Sequence, residues 1–216
     1  MANQVQNFVH QHNLILSLRP VFIGQLILLE SLDNPAYGFY DGEFVAVIDE
    51  DEPISSGLVS EYAKKYGKEI FIHQRDFSRI EEQTRSELTK LSRSLSVGPI
   101  KKNALKQTNL LSMQMENLYR NPFDDNILTT QFQSSKNLSG LLLNNRELPR
   151  DLFHNLSQSS YHYTIAQPLL SSIIYLSFIQ SLGGFNEKEI QNLFLTSYFK
   201  DIGMSLIPKE LFEKRY

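Results

Sequence analysis

Apolar positions follow two rhythms along the chain. In the first third they come as short runs: Phe22–Leu29 has the length of a strand, and Gly38 to Ile48 sets Asp41-Gly42 between two runs rich in aromatic and β-branched residues. An Asp-Gly pair so placed predicts a hairpin, because a two-residue turn that matches strand twist needs positive φ at both central residues. Ile54, Leu58, Val59 and Tyr62 then share one helical face ended by Gly67, and Glu69–His73 predicts a strand directly after it. Strand, helix and strand with short connections make a small sheet with a helix on one face.

From Asp76 the period becomes helical and stays so. Ile80, Thr84, Leu88, Leu91 and Leu95 mark one helix, and Pro99 opens a second through Leu105, Leu110, Leu111, Met115 and Leu118, closed by Asn121-Pro122. Further helices are predicted at Asp125–Leu143, Leu148–Leu156, Thr164–Leu182 and Asn186–Phe199, with Gly183-Gly184 between the last two. The expected fold is α+β and mainly helical: an N-terminal α+β domain over residues 1–98, with its linking helix, followed by an all-α bundle over 99–216.

Composition narrows the chemistry. A net charge of −3 offers no attraction to a polyanion, so no nucleic-acid partner is expected. The absence of cysteine excludes disulfides, thiolate metal sites and a cysteine nucleophile, and leaves His, Asp and Glu as the only metal ligands. The N-terminus has neither a basic n-region nor a small-residue cleavage site, which leads us to expect a cytoplasmic protein. Ile165–Leu182 has nearly the length of a membrane span, but Gln167, Pro168, Ser171, Ser172, Ser177, Gln180 and Ser181 interrupt it, and a buried helix accommodates such groups more readily than hydrocarbon does.

The stretch from Glu187 to Pro208, with Lys200-Asp201-Ile202-Gly203-Met204 after its helix, resembles the signature of the HD-GYP family of bacterial cyclic-di-GMP phosphodiesterases. There a helix ends in His-Asp-Ile-Gly-Lys and runs through a short apolar stretch to a Pro. Phe185-Asn186 matches the turn before that helix, and Tyr163-Thr164 sits where the preceding helix is commonly preceded by an aromatic-Thr pair and a metal-binding His. The first third is similar, more loosely, to the small α+β domain that precedes the catalytic domain in many such proteins. The resemblance implies an HD-type helical bundle and metal-dependent hydrolysis of a cyclic dinucleotide, with Fe or Mn as cofactor.

The residues depart from the family where the chemistry lies. A His-Asp pair works because an imidazole and a bridging carboxylate together hold two ions that activate water. In this chain Lys200 replaces the His, and a protonated ammonium cannot ligate. The upstream family His falls at Gln167 or Pro168, depending on how Gly183-Gly184 is counted, and the Lys after the Gly is Met204. No downstream His ligands or Gly-Tyr-Pro loop occur before Tyr216, so a helical domain incomplete at its C-terminus is expected. Of the family's metal ligands only Asp201 remains, as a vestigial one.

Other candidates carry less. His154 and His162 are two imidazoles near the bundle with Asp151 as the one carboxylate nearby, His10 and His12 fit a polar N-terminal segment, and His73 a strand end. Asp49–Glu52 fits a charged helix entrance, lacking the glycine and oxygen spacing of a calcium loop. Lys101, Lys102 and Lys106 fit a solvated helix face. No Gly-rich phosphate loop or nucleophile elbow is present.

The expectation is a non-catalytic, regulatory or scaffolding protein of bacterial signalling, without a cofactor, that acts through a protein partner or a second copy of itself. Leu193, Phe194, Ser197, Tyr198 and residues 202–211 are expected to present apolar surface for that contact. The alternatives are a divergent phosphodiesterase using Fe or Mn, a cyclic-dinucleotide sensor without turnover, and the product of a shortened reading frame.

Overall fold

The computed structural model describes residues 2–158 and 163–206. These form two compact units that divide within one helix, between Gln83 and Thr84. The turn at 94–99, where a boundary was expected, ends that helix.

The first unit carries a four-stranded antiparallel sheet. Its strands are β1 (Leu18–Phe22), β2 (Ala36–Tyr40), β3 (Glu43–Ile48) and β4 (Glu69–His73), in the order β1-β4-β2-β3. The hairpin forms as the sequence predicts: Asp41 and Gly42 both have positive φ (49° and 87°), as the turn requires. The run Phe22–Leu29 departs from its expected strand. Only Phe22 pairs in the sheet, and Ile23–Leu28 winds into a 3₁₀ segment whose Ile23, Gln25 and Leu26 are buried. A short apolar run shows that a segment is buried, without fixing its backbone.

Two helices complete this unit's frame. α1 (Ala2–Ser17) was not predicted, because its sequence is rich in Asn, Gln and His and weak in periodicity. It shields the edge strand β3: the Gln11 amide donates to the Phe44 carbonyl at 3.2 Å and accepts from the Phe44 N–H at 2.7 Å, occupying backbone groups that would otherwise template another strand. α2 (Ser56–Tyr66) starts at Ser55, whose hydroxyl accepts the Leu58 N–H, and packs Leu58, Val59 and Tyr62 on the sheet. The acidic run at 49–52 forms a turn of its own upstream of this cap, with Asp51 at φ 61°. The core lies between one sheet face and these elements, with Val21, Leu26, Leu32, Ile48, Ile70 and Ile72 almost wholly enclosed.

The second unit is helical. α3 (Gln74–Arg93) begins in the first unit and ends in this one. It is followed by α4 (Ile100–Arg120), α5 (Asp125–Leu143), α6 (Leu148–Ser157), α7 (Tyr163–Leu182) and α8 (Glu187–Phe199). Asp124 caps α5 by accepting the Asn126 and Ile127 N–H groups. Asn186 and Glu189 close a reciprocal capping box on α8. α7 is the one described helix long and apolar enough to cross a bilayer. It buries Leu169, Ile173, Leu176 and Ile179 in the bundle and leaves Ile174, Tyr175, Phe178 and Leu182 exposed. Mainly helical α+β is thus the observed class, as predicted.

Candidate functional site

The chemistry expected from the sequence converges on the end of α8. The Asn186 box and the acidic first turn of Glu187 and Glu189 fix where the helix starts, and Ile190, Phe194, Leu195 and Tyr198 give it a buried stripe. That stripe aims the helix end at α4 and α5. Lys200 caps α8, Asp201 follows half-buried, and a 3₁₀ turn over Ile202–Leu206 packs beside α4.

α7 runs alongside, and Ser197 Oγ donates to Ser171 Oγ at 3.5 Å, one turn before Lys200 and one turn after Gln167-Pro168. The residues singled out from the sequence therefore lie at one end of the bundle. Gln167 is exposed, while Pro168 is buried and its carbonyl accepts from the hydroxyls of Ser171 and Ser172. Lys200 Nζ pairs with the Asp201 carboxylate, its own neighbour in sequence. Met204 belongs to the 3₁₀ turn. Pro208 and His162 lie outside the described residues, and His154 is exposed, with its carbonyl closing α6. The one carboxylate near it, Asp151, is bound by Lys101 at 2.7 Å. Among the described residues no group of three or more His, Asp or Glu stands close enough to share a metal ion.

The sequence did not reveal what surrounds Asp201. Tyr119, near the end of α4, has its hydroxyl pushed up to about 12 by burial and by the negative charge of Asp201. Tyr198 is fully enclosed and is raised well above the usual tyrosine range, first by burial and then by Tyr119, against the hydrogen bond it accepts from Gln131. Gln131 is buried in α5 and also donates to the Leu111 carbonyl at 2.9 Å, while its own Oε1 has no partner. A polar layer continues away from it: Gln107 donates to the Ser134 carbonyl and to Ser92 Oγ, and Ser92 donates to Ser134 Oγ.

Tyr119 beside the lysine-paired Asp201, and Tyr198 beside Tyr119, are two neutral phenols that make a proton-holding, weakly charged site. An unfolded tyrosine ionises near pH 10, whereas folded Tyr119 keeps its proton to about 12 and Tyr198 beyond the usual range. Over that interval the unfolded state binds fewer protons than the folded one, so stability falls as pH rises. Melting temperature is expected to drop between pH 10 and 12, and Tyr119→Phe to flatten that slope.

The apolar face expected on α8 is corrected by the structure. Phe194 and Tyr198 are buried to within 1%, stacked on each other at 6.5 Å, with Phe199 edge-on to Tyr198 at 4.9 Å. Leu193 and Ser197 are partly buried. α5 and α7 already cover this stripe; in the expected stretch 202–211 Leu206 is exposed, residues 207–211 lie outside the described residues, and a further exposed apolar row lies on α7.

No family model matches the chain and no curated protein matches its sequence. Among solved structures, Bd1817, a HDG"Y"P protein from Bdellovibrio bacteriovorus, is similar with a TM-score of 0.57 and 13% sequence identity. The match covers 88% of this chain and 62% of that one, so the chain spans less than two thirds of the protein it resembles. At this identity the likeness is one of fold, and the fold is HD-GYP-like.

Proposed function

We propose that this protein is a non-catalytic HD-GYP-like component of bacterial signalling that acts by contact with a protein partner or with a second copy of itself. The observation that carries this reading is the Lys200–Asp201 pair at the end of α8. An HD-type centre needs several neutral or anionic donors around two cations. Among the described residues this end of the bundle instead supplies an exposed amide from Gln167, a proline ring, and an ammonium from Lys200 already bound to the Asp201 carboxylate. These residues do not fit a binuclear iron or manganese site, and we derive no hydrolytic step through one.

The partner contact is supported by the row Ile174, Tyr175, Phe178 and Leu182, which shares one face of α7 and is 41% to 61% exposed. An apolar row of this length on a helix is costly to leave in water and is commonly covered by another chain.

The deciding experiment is anaerobic purification with Fe²⁺ and Mn²⁺ supplied, followed by metal analysis and a cyclic-di-GMP hydrolysis assay. The expected result is substoichiometric metal, no turnover, and no change of either on Asp201→Ala. One or more tightly held ions per chain, or hydrolysis abolished by Asp201→Ala, overturns the reading. For the contact surface, Ile174→Glu/Phe178→Glu is expected to lower self-association or partner capture, as read by light scattering, while leaving the helical spectrum unchanged.

A further inference from the structure

A second site lies on another face of the helical unit. The end of α3, the start of α4, the last turns of α5 and the first half of α8 line an open cleft of about 520 Å³, within the volume range of small-ligand sites. Gln191 on its α8 wall stands nine residues before Lys200, roughly 14 Å along the helix axis at 1.5 Å per residue, so the cleft is separate from the Asp201 region.

The charged side chains that line it are of one sign. Arg93 and Lys136 line the cleft and no carboxylate does. Among the described residues neither cation is paired with an acid, whereas Lys90, Lys101, Lys106 and Lys200 all are. Ile100, the first residue of α4, forms part of the wall. The cap before it, Pro99, provides no side-chain hydrogen bond, so the first residue of this 21-residue helix lies at the opening without a capping side-chain oxygen.

The remaining wall is built of amides held in place. Asn144 Nδ2 donates to the Gly140 carbonyl at 2.9 Å, and Asn137 Nδ2 to the Ser92 carbonyl at 3.2 Å. The Asn144 side-chain oxygen is thereby fixed but still able to accept from a ligand. Gly140 is a glycine inside a helix, where it is disfavoured relative to alanine. A Cβ there would come within 3.2 Å of Gln191 Nε2. Its lack of a side chain lets the Gln191 amide sit close against α5 at the cleft.

We propose that this cleft binds a small phosphorylated molecule, its phosphate held by Arg93, Lys136 and the α4 N-terminus, and its hydroxyl- or amine-bearing part by Asn144 and Gln191. Paired cations without counter-acids attract phosphate, and arginine matches its oxygens with a forked pair of donors. Fixed amide oxygens add a preference for ligands that carry donors of their own.

The test is titration of the isotope-labelled full chain with inorganic pyrophosphate, followed by amide NMR. Saturable shifts are expected at Asn137, Gly140, Asn144 and Gln191. Arg93→Glu/Lys136→Glu is expected to weaken binding at least tenfold, and the equal charge change Lys64→Glu/Lys68→Glu in the first unit to leave it unaltered. Gly140→Met, which retains both cations, is expected to weaken binding by filling the cleft while the helical spectrum persists. Absence of saturable shifts, shifts confined to other surfaces, or equal weakening by both charge reversals overturns the proposal. This outcome is independent of metal content and hydrolysis at Asp201.

Discussion

Tyr198→Ala is expected to destabilise the helical unit by about 4 kcal/mol, the range found when a large enclosed ring is deleted from a packed core. Its ring is 1% exposed, stacks on Phe194, and meets Phe199 edge-on. Two further variants separate packing from hydrogen bonding. Tyr198→Phe keeps the ring but removes the acceptor for one buried Gln131 N–H, and should cost roughly 1–2 kcal/mol. Tyr198→Phe with Gln131→Leu removes both polar partners, and also the Gln131 Oε1 that has no donor, at the expense of the bond to the Leu111 carbonyl. The double variant should therefore be less destabilised than the sum of its singles. Urea unfolding followed by far-UV circular dichroism gives all three values. Strict additivity would mean that the two side chains do not act together.

That buried polar layer shows where the sequence was legible and where a habit of reading obscured it. Ile127, Gln131, Ser134, Leu138 and Leu141 fall at helical spacing on one stripe of α5, and all five are buried. Gln107 holds the same place on α4, between Ala104 and Leu111. The spacing was visible throughout, but polar residues on an apolar stripe were not read as core. Helix ends were clear because Pro99, Asn121-Pro122, Asn186 and Gly183-Gly184 act through local sterics and capping, which need no tertiary context. The hairpin was clear for the same reason. α1 and the 3₁₀ segment at 23–28 were not, since only packing on the sheet decides their conformation. At the candidate site, the departures at Lys200 and Gln167 could be read directly. Tyr119 and Gln131 could not, because α4 brings the one to Asp201 and α5 the other to Tyr198 across long sequence separations.

Asp76 is the clearest instance of a residue whose role only the fold reveals, and its substitution is the second large effect expected. At the start of a charged helix it reads as a solvated acid favoured by the helix dipole. In the structure it is fully enclosed. Its carboxylate accepts the Asp33 N–H at 2.9 Å, the Asn34 amide at 3.2 Å and the Arg79 guanidinium at 3.0 Å. It ties the loop before β2 to the first turn of α3. Arg79 also reaches Asp33 at 2.7 Å, and Arg75 reaches the same carboxylate at 3.1 Å, so the loop is held from both sides. Asp76→Ala deletes three charge-assisted bonds and leaves the Asp33 N–H without its acceptor, for which about 3 kcal/mol is expected. Asp76→Asn preserves an oxygen for that N–H but faces its own NH₂ against donors, and should cost about half as much. Arg79→Ala loses the Asp33 contact and one cation beside the enclosed carboxylate but keeps both bonds from the loop to Asp76, so a loss of about 1–2 kcal/mol, smaller than for Asp76→Ala, follows. A larger loss for Asp76→Ala than for Asp76→Asn or Arg79→Ala distinguishes a buried acceptor that organises the loop from a surface ion pair. An Arg79→Ala variant as unstable as Asp76→Ala would show that the guanidinium, rather than the enclosed carboxylate, holds this part of the fold together.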